Sequence, residues 1–131
     1  MSNKQRVYVI TGAASGIGLV TKQLLESRGH RVIGADLHNA EVIADLSTAP
    51  GRAALVNQVT SISGGAIDAV LAVAGVDING PLTVAVNYYG AIATLEGLRP
   101  LMLTSDSPRA VAVSSITSVH PFNEQLLNAM L

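Results

Sequence analysis

One segment near the N-terminus constrains the fold most: Thr11 to Gly18 is rich in glycine and lies between an apolar run and a helical pattern. Val7 to Ile10 is apolar without alternation, as in a strand that is covered on both faces. From Ile17 to Arg28, apolar residues recur every three or four positions, which predicts an amphipathic helix that ends before Gly29. Strand, glycine turn and helix in this order predict the first unit of a parallel sheet.

The rest of the chain continues to alternate between strand and helix patterns. Further strands are predicted at residues 31–35, 41–44, 67–74 and 109–113, and helices at 48–62, 81–104 and 124–131. Only a turn or a single helical turn fits between Asp36 and Glu41. Right-handed crossovers then predict an α/β fold, a Rossmann-type doubly wound parallel sheet of about five strands in the order 3-2-1-4-5. The length suits one domain, residues 1–131.

The glycine turn has the context of a dinucleotide site. A helix N-terminus offers unpaired N–H groups and a partial positive charge to a pyrophosphate. Gly12, Gly16 and Gly18 leave room for backbone, cofactor and sheet to approach one another. Asp36 ends the second strand 18 residues after Gly18 (36 − 18), close to the ~20 expected for an acid that binds the adenosine ribose.

The residues around Asp36 favour one cofactor. Glycines in a strand–helix turn can serve packing alone, and Asp36 alone can be a solvated strand-end acid. Together they predict NAD, because a carboxylate accepts from the 2′-OH of NAD and repels the 2′-phosphate of NADP. Ser15 and Leu37 stand where an NADP site more often has Arg or Lys.

Composition excludes several other functions. The chain is 49% hydrophobic and 13% charged, with a net charge of −1, so no basic patch for nucleic acid or a membrane surface is expected. It has no cysteine, and its three histidines lie far apart, so no metal site is expected. No apolar run approaches the roughly 18 residues of a membrane span. These features predict a soluble cytoplasmic protein.

The motif beginning at Thr11, Thr-Gly-x-x-x-Gly-x-Gly, resembles the signature of the classical short-chain dehydrogenases/reductases. Four later stretches resemble family motifs in the same order: Asp45-Leu46, Ala72-Val73-Ala74-Gly75, Val86-Asn87-Tyr88-Tyr89-Gly90 and Val113-Ser114-Ser115. The turn after the fourth strand departs from the family pattern, since Ala72 and Val73 replace two asparagines. Within the family, the short Asp36–Glu41 connection and the region from Ser115 to His120 resemble the bacterial 3α-hydroxysteroid dehydrogenase/carbonyl reductase group.

The resemblance implies an NAD(H)-dependent oxidoreductase that interconverts a carbonyl and a secondary alcohol of the hydroxysteroid or small-ketone class. It implies that Ser115, with Ser114 as the alternative, hydrogen-bonds the substrate oxygen, and that Asn87 anchors a water relay. A dimer or tetramer is expected for the complete enzyme. The implied cofactor-binding residues are Gly12, Ser15, Gly16, Ile17, Gly18, Asp36, Asp45, Leu46, Ala74 and Gly75.

The Tyr-x-x-x-Lys acid/base pair of the family is not in the chain. The only lysines are Lys4 and Lys22, and neither follows a tyrosine by four residues. Only 16 residues follow Ser115 (131 − 115). We therefore expect a fragment, inactive alone and incomplete at its C-terminus, whose partner is the complementary C-terminal part, although a natural truncation is the alternative. Residues 119–131 would begin a substrate-loop insertion or form a plain amphipathic helix.

Two other functions remain open at this point. One is a non-catalytic module of the same fold that binds NAD as a sensor or structural ligand. The other is a Rossmann-like domain of another class, such as a methyltransferase, in which Asp36 would still serve but Asn87 and Ser115 would be coincidental. The sequence that follows Leu131 would separate the enzyme from the binding module.

Overall fold

The computed structural model describes residues 4–130, which form a five-stranded sheet with helices on both faces. The strands are β1 (Val7–Thr11), β2 (Arg31–Asp36), β3 (Val42–Ile43), β4 (Ala69–Ala72) and β5 (Arg109–Ala112). They lie in the order β3-β2-β1-β4-β5, and every neighbouring pair is parallel. The predicted α/β class, Rossmann-type topology and strand order are therefore confirmed.

Three helical segments connect the strands. Helix α1 (Gly16–Ser27) joins β1 to β2, α2 (Ala49–Ser63) joins β3 to β4, and a composite segment joins β4 to β5. That segment consists of α3 (Pro81–Val84), a π-helical turn (Ala85–Gly90), α4 (Ala91–Leu98) and a 3-10 turn (Arg99–Met102). Another 3-10 turn (Ile116–Val119) and α5 (Glu124–Met130) follow β5. None of these helices combines the length and apolar character needed to cross a membrane.

Three strands are shorter than predicted. β3 has only two residues, β4 ends at Ala72 rather than Ala74, and β5 ends one residue early, at Ala112. The last predicted helix reaches Leu131, which lies outside the described residues. The reason at β4 is a side chain: the hydroxyl of Thr11 accepts hydrogen bonds from the amides of Val73 and Ala74, at 3.1 and 3.2 Å. Those two amides turn away from the strand ladder, so the chain leaves the sheet early.

The composite segment differs from the single helix predicted between residues 81 and 104. The apolar period predicts a buried face through Tyr88 and Ala91, but Tyr88 is 41% exposed. The π turn contains one residue more per turn than an α-helix and so rotates the buried face. The buried positions are Gly90, Thr94, Leu98 and Met102, four residues apart, of which Leu98 and Met102 belong to the predicted face. Thr94 is satisfied there because its hydroxyl donates to the Gly90 carbonyl at 2.7 Å.

The core lies on both faces of the sheet and is uneven. On one face, α2 and α4 pack over the centre of the sheet; the buried residues include Val9, Ile33, Leu55, Val59, Val70 and Leu98. On the other face, α1 covers a smaller cluster around Ile10 and Val32 through Leu25. The apolar residues Ile17, Val20 and Leu24 of α1 are exposed, so only part of its predicted apolar surface is buried. All four residues of β5 are exposed as well.

A polar cluster ties the strands together at their N-terminal ends. The carboxylate of Asp68 accepts from the amide of Val7 at 2.8 Å and from the hydroxyl of Ser105 at 2.6 Å. The Arg6 guanidinium donates to the carbonyls of Asp68 and Ser107. Burial raises the pKa of Asp68, but the Ser105 and Val7 hydrogen bonds and the charges of Arg6 and Lys4 outweigh it, so the net pKa is lowered.

We expect Asp68→Asn to lower the free energy of unfolding at pH 7 by about 1.5–3 kcal/mol, the usual range for hydrogen bonds to a charged group. The stabilisation from a lowered carboxyl pKa is present above the unfolded-state value and is lost as the pH falls through the folded-state value. The difference between wild type and variant should therefore shrink below about pH 4. Urea unfolding at pH 7 and pH 3 measures both quantities.

Asp106→Asn is the matched control for this experiment. Asp106 lies at the same end of the sheet but pairs only with Lys4, and the two side chains are 86% and 84% exposed. An exposed pair of this kind contributes little to stability. Equal losses in both variants, or a loss in Asp68→Asn that persists at pH 3, would contradict the role given to the Asp68 carboxylate.

Candidate cofactor site

The C-terminal ends of β1, β2 and β4 are level in the sheet, because Thr11 pairs with Ala35 on one side and Ala72 on the other. The loops that follow these strands converge on a cavity of about 410 Å³. Open α/β sheets bind their ligands at this edge. Nine of the ten predicted cofactor residues line the cavity: Gly12, Ser15, Gly16, Ile17, Asp36, Asp45, Leu46, Ala74 and Gly75.

Two of the three glycines in the turn, Gly12 and Gly18, have no room for a side chain. Gly12 has a left-handed backbone with φ of +71°, and a Cβ on it would lie 2.9 Å from the Cα of Ala74. A Cβ on Gly18, the tenth predicted residue, would lie 2.0 Å from the carbonyl oxygen of Gly12. Gly18 therefore lies behind the turn and lets α1 begin directly beneath it. Gly16, with φ of +53°, lines the cavity and has no neighbour within 4 Å of its missing Cβ.

The start of α1 provides the polar surface of this turn. Its first amides have no partner within the helix. Ser15 caps the helix with extended backbone, and its side chain makes no capping hydrogen bond. The cradle is thus made of backbone donors with an open space before them, which suits a pyrophosphate.

Asp36 fixes the other wall of the turn. One carboxylate oxygen accepts from the amide of Ala14 at 2.9 Å, and the other accepts from the amide of Leu37 at 2.7 Å. The Ala13 amide also donates to the Ala35 carbonyl at 3.2 Å. The carboxylate is thus held in place at the rim of the cavity, with further lone pairs that can accept from a ligand.

A second carboxylate, that of Asp45, lies on the same rim. Its Oδ1 accepts from both the hydroxyl and the amide of Ser47, at 2.6 and 2.9 Å. These two hydrogen bonds lower the pKa of Asp45 and keep the group ionised. The next residue, Leu46, is buried against Gly90 on the composite helical segment. Asp45 and Leu46 therefore anchor this loop while one carboxylate oxygen remains open to a ligand.

The cavity has a negative rim and an apolar far end. Its lining includes the carboxylates of Asp36 and Asp45 but no Lys, Arg or His among the residues that the structure describes. The far end is formed by Val73, Val76, Leu82 and Val86. The sequence analysis did not name these four as site residues, although Val73 and Val86 lie within two of the stretches that resemble family motifs. Leu82 and Val86 also have the i, i+4 spacing that places two side chains on one helix face.

Neither candidate catalytic residue lines the cavity. Asn87 lies in the π turn beside it, and its side-chain amide pairs with the backbone of Val76: Oδ1 accepts from the amide and Nδ2 donates to the carbonyl, both at 2.8 Å. Ser115 follows β5 at the same edge of the sheet, and its hydroxyl accepts from Thr117. Thr11 and Asn87 together fix the loop after β4, and the structural role of Thr11 was missed in the sequence.

Comparison with known proteins supports this geometry. No protein-family model matches the chain. The curated 3-alpha-hydroxysteroid dehydrogenase/carbonyl reductase of Comamonas testosteroni is 39% identical over 120 residues, which cover 87% of this chain and 46% of that protein. The crystal structure of the 3-alpha-hydroxysteroid dehydrogenase from Pseudomonas sp. B-0831 complexed with NADH superposes with a TM-score of 0.87 and 43% identity, covering 95% of this chain and 51% of that one.

The resemblance to the short-chain dehydrogenases/reductases is confirmed. A third comparison, the ligand-free aldohexose dehydrogenase of Thermoplasma acidophilum, has a TM-score of 0.77 at 21% identity and shares the fold. The chain spans about half the length of the curated short-chain dehydrogenases that it matches. In this chain, the residues that match include the sheet, the glycine turn and the cavity described above.

Proposed function

We propose that this chain is the NAD-binding half of a short-chain dehydrogenase/reductase, an oxidoreductase that interconverts a carbonyl and a secondary alcohol. The observation that carries the proposal is the cavity, which gathers nine independently predicted residues at the edge where this fold binds ligands. The hydroxysteroid or small-ketone class rests on the names of the Comamonas and Pseudomonas relatives. The cytoplasmic setting and a dimeric or tetrameric complete enzyme stay predictions.

The rim of the cavity favours NAD over NADP. The Asp36 carboxylate would accept from the adenosine ribose hydroxyls, and it would repel a phosphate in the same position. Ser15 and Leu37 both line the cavity, so no cation is available there to compensate for the repulsion. NADH is also the cofactor bound in the Pseudomonas relative.

Ser115 and Asn87 are the proposed catalytic residues. Ser115 follows β5, whose end is level with β4 because Ala72 pairs with Ala112, so its hydroxyl lies at the cofactor edge. Asn87 holds the loop that forms the apolar end of the cavity. We propose that Ser115 donates to the substrate oxygen and that Asn87 keeps the cofactor loop and a proton-relaying water in place. The acid/base pair would come from a second polypeptide segment.

A bare apolar surface supports the existence of that segment. The stem of Lys22 in α1 lies over Gly34 of β2, so Ile17 and Leu24, on the opposite flank of the helix, face the β4 side. On the same face of the sheet, Val111 pairs with Leu71 of the small core cluster and is 50% exposed. Val113, two residues on, is 49% exposed.

These residues define what we name the α1–β5 groove: Ile17, Leu24, Leu71, Val111 and Val113. The two strands β4 and β5 together are about 10 Å wide, which equals the diameter of one helix, so the groove has the width of a single helix. Exposed apolar surface beside a free strand edge marks an interaction site. We propose that the groove is filled by the complementary C-terminal half, and that residues 119–131 begin the substrate loop leading into it.

Complementation tests the proposal. The chain alone should turn over no substrate and bind NAD weakly, because the acid/base pair and the far part of the site are missing. Co-expression with the C-terminal half of the Comamonas relative should give a complex that oxidises a secondary alcohol with NAD. Leu24→Glu and Val111→Glu should prevent the association, since each places a charge in the groove. Gel filtration and absorbance at the NADH band measure the two results.

Ile62→Glu is the control, because Ile62 is 40% exposed on α2, on the opposite face of the sheet. Turnover by the chain alone would contradict the proposal that a second segment supplies the acid/base pair. A stable complex that binds NAD without turnover would favour the alternative function, a non-catalytic NAD-binding or sensor module. The absence of a Tyr-x-x-x-Lys pair within the 131 residues is the observation that keeps this alternative.

A further inference from the structure

The hydroxyl of Ser115 is held in an unusual way for the cap of a short helical turn. It accepts a hydrogen bond from the backbone amide of Thr117 at 3.2 Å, which is the ordinary contact of a capping serine. A second hydrogen bond, 2.8 Å long, joins it to the hydroxyl of Thr117. Thr117 therefore contacts the Ser115 oxygen twice, once through its amide and once through its hydroxyl.

A serine hydroxyl has one donor and two acceptor positions. The Thr117 amide can only donate, so it occupies one acceptor position of Ser115. When the Thr117 hydroxyl donates as well, both acceptor positions are occupied and only the O–H donor of Ser115 remains available. Among residues 4–130 this donor has no protein partner other than Thr117, and the side chain is exposed at the cofactor edge of the sheet. Accepting hydrogen bonds also polarises a hydroxyl and strengthens it as a donor.

We propose that Thr117 is a positioning residue that commits the Ser115 hydroxyl to donating its hydrogen to the substrate oxygen. The inference rests on the proposed function, in which that oxygen gains negative charge as hydride reaches the carbonyl carbon. A donor aimed in advance at a developing oxyanion stabilises the transition state more than the ground state. The neighbouring Ser114 has no such contact within the described residues, which separates the two serines.

The experiment uses the complex of the chain with the C-terminal half of the Comamonas relative. Thr117→Val keeps the backbone amide and the branched shape but removes the hydroxyl that donates to Ser115. It should lower kcat for ketone reduction about tenfold and leave the KM for NADH unchanged. Thr117→Ser, which keeps the hydroxyl, should restore kcat to within about twofold.

A double-mutant cycle distinguishes positioning from a general structural effect. Ser115→Ala should lower kcat by about 100-fold or more, the loss expected when a transition-state donor is removed. In that background, Thr117→Val should have no further effect, because there is no hydroxyl left to position. A further loss there, or a failure of Thr117→Ser to restore activity, would overturn the inference.

The two proposals fail in different ways. If Ser115→Ala leaves kcat unchanged, or the complex has no turnover, the proposed function is contradicted and the role of Thr117 with it. If Ser115→Ala abolishes turnover while Thr117→Val is as active as wild type, the proposed function stands and only the inference about Thr117 is wrong.

Discussion

Gly18→Ala is expected to abolish dinucleotide binding and to lower the free energy of unfolding by about 3 kcal/mol, the upper range for overpacking a close contact. A Cβ at this position would lie 2.0 Å from the Gly12 carbonyl oxygen and 2.7 Å from its carbonyl carbon. Both atoms are backbone, so no side-chain rotation relieves the clash. Either α1 moves away from the turn or the turn moves into the cavity. Urea unfolding measures the loss of stability, and titration of the reconstituted complex with NAD measures the loss of binding.

The control is Gly64→Ala at the C-cap of α2. Gly64 has a left-handed backbone with φ of +68°, and its Cβ would have no neighbour within 4 Å. This variant should lose about 1 kcal/mol from backbone strain alone and keep its cofactor affinity. A Gly18→Ala protein as stable as Gly64→Ala would show that the contact between the turn and α1 is not as close as described.

Asp36→Ala is expected to weaken NAD about 10- to 100-fold in the reconstituted complex and to weaken NADP less, so that the preference for NAD narrows or reverses. Two effects contribute. The amides of Ala14 and Leu37 lose their acceptor, which loosens the turn for both cofactors. With NAD, the ribose hydroxyls also lose the carboxylate that accepts their hydrogen bonds. With NADP, the variant no longer repels the 2′-phosphate.

The ratio of kcat/KM values for NAD and NADP separates these two effects. Asp36→Asn keeps one carbonyl acceptor without the charge, so it should relax the preference while losing less NAD affinity than Asp36→Ala. Asp106→Ala, at the opposite end of the sheet, should change neither cofactor. An unchanged ratio of the two kcat/KM values in Asp36→Ala would show that this carboxylate does not distinguish the ribose of NAD from that of NADP.

Local patterns predicted much of this structure. The strand order followed from alternating strand and helix patterns, because right-handed crossovers leave few ways to arrange parallel strands. Gly12 and Asp36 could be placed together because Gly12 directly follows the first strand and Asp36 ends the second, at the same edge of the sheet. The spacing alone did not distinguish Gly18, which packs behind the turn, from Gly12 and Gly16, which line the cavity.

Features that depend on contacts between distant segments could not be predicted. The π turn changes which residues of the composite segment are buried, and no apolar period signals it. Thr11 ends β4 only because the register places the two next to each other. Val76 and Leu82 join the site because separate loops converge on it, and Thr117 matters only through its geometry relative to Ser115.

The pairing of Asn87 with Val76 explains how the motif after β4 can vary. A carboxamide has the donor and acceptor of a peptide group, so Asn87 acts as one residue of an additional strand beside this loop. Thr11 holds the preceding amides in the same way. Because the chain after β4 is held through its backbone, its shape does not depend on side-chain amides at Ala72 and Val73, the positions where the family pattern has two asparagines. Substitutions of Thr11 and Asn87, whose side chains hold this loop, should therefore be tolerated less well than substitutions within the loop itself.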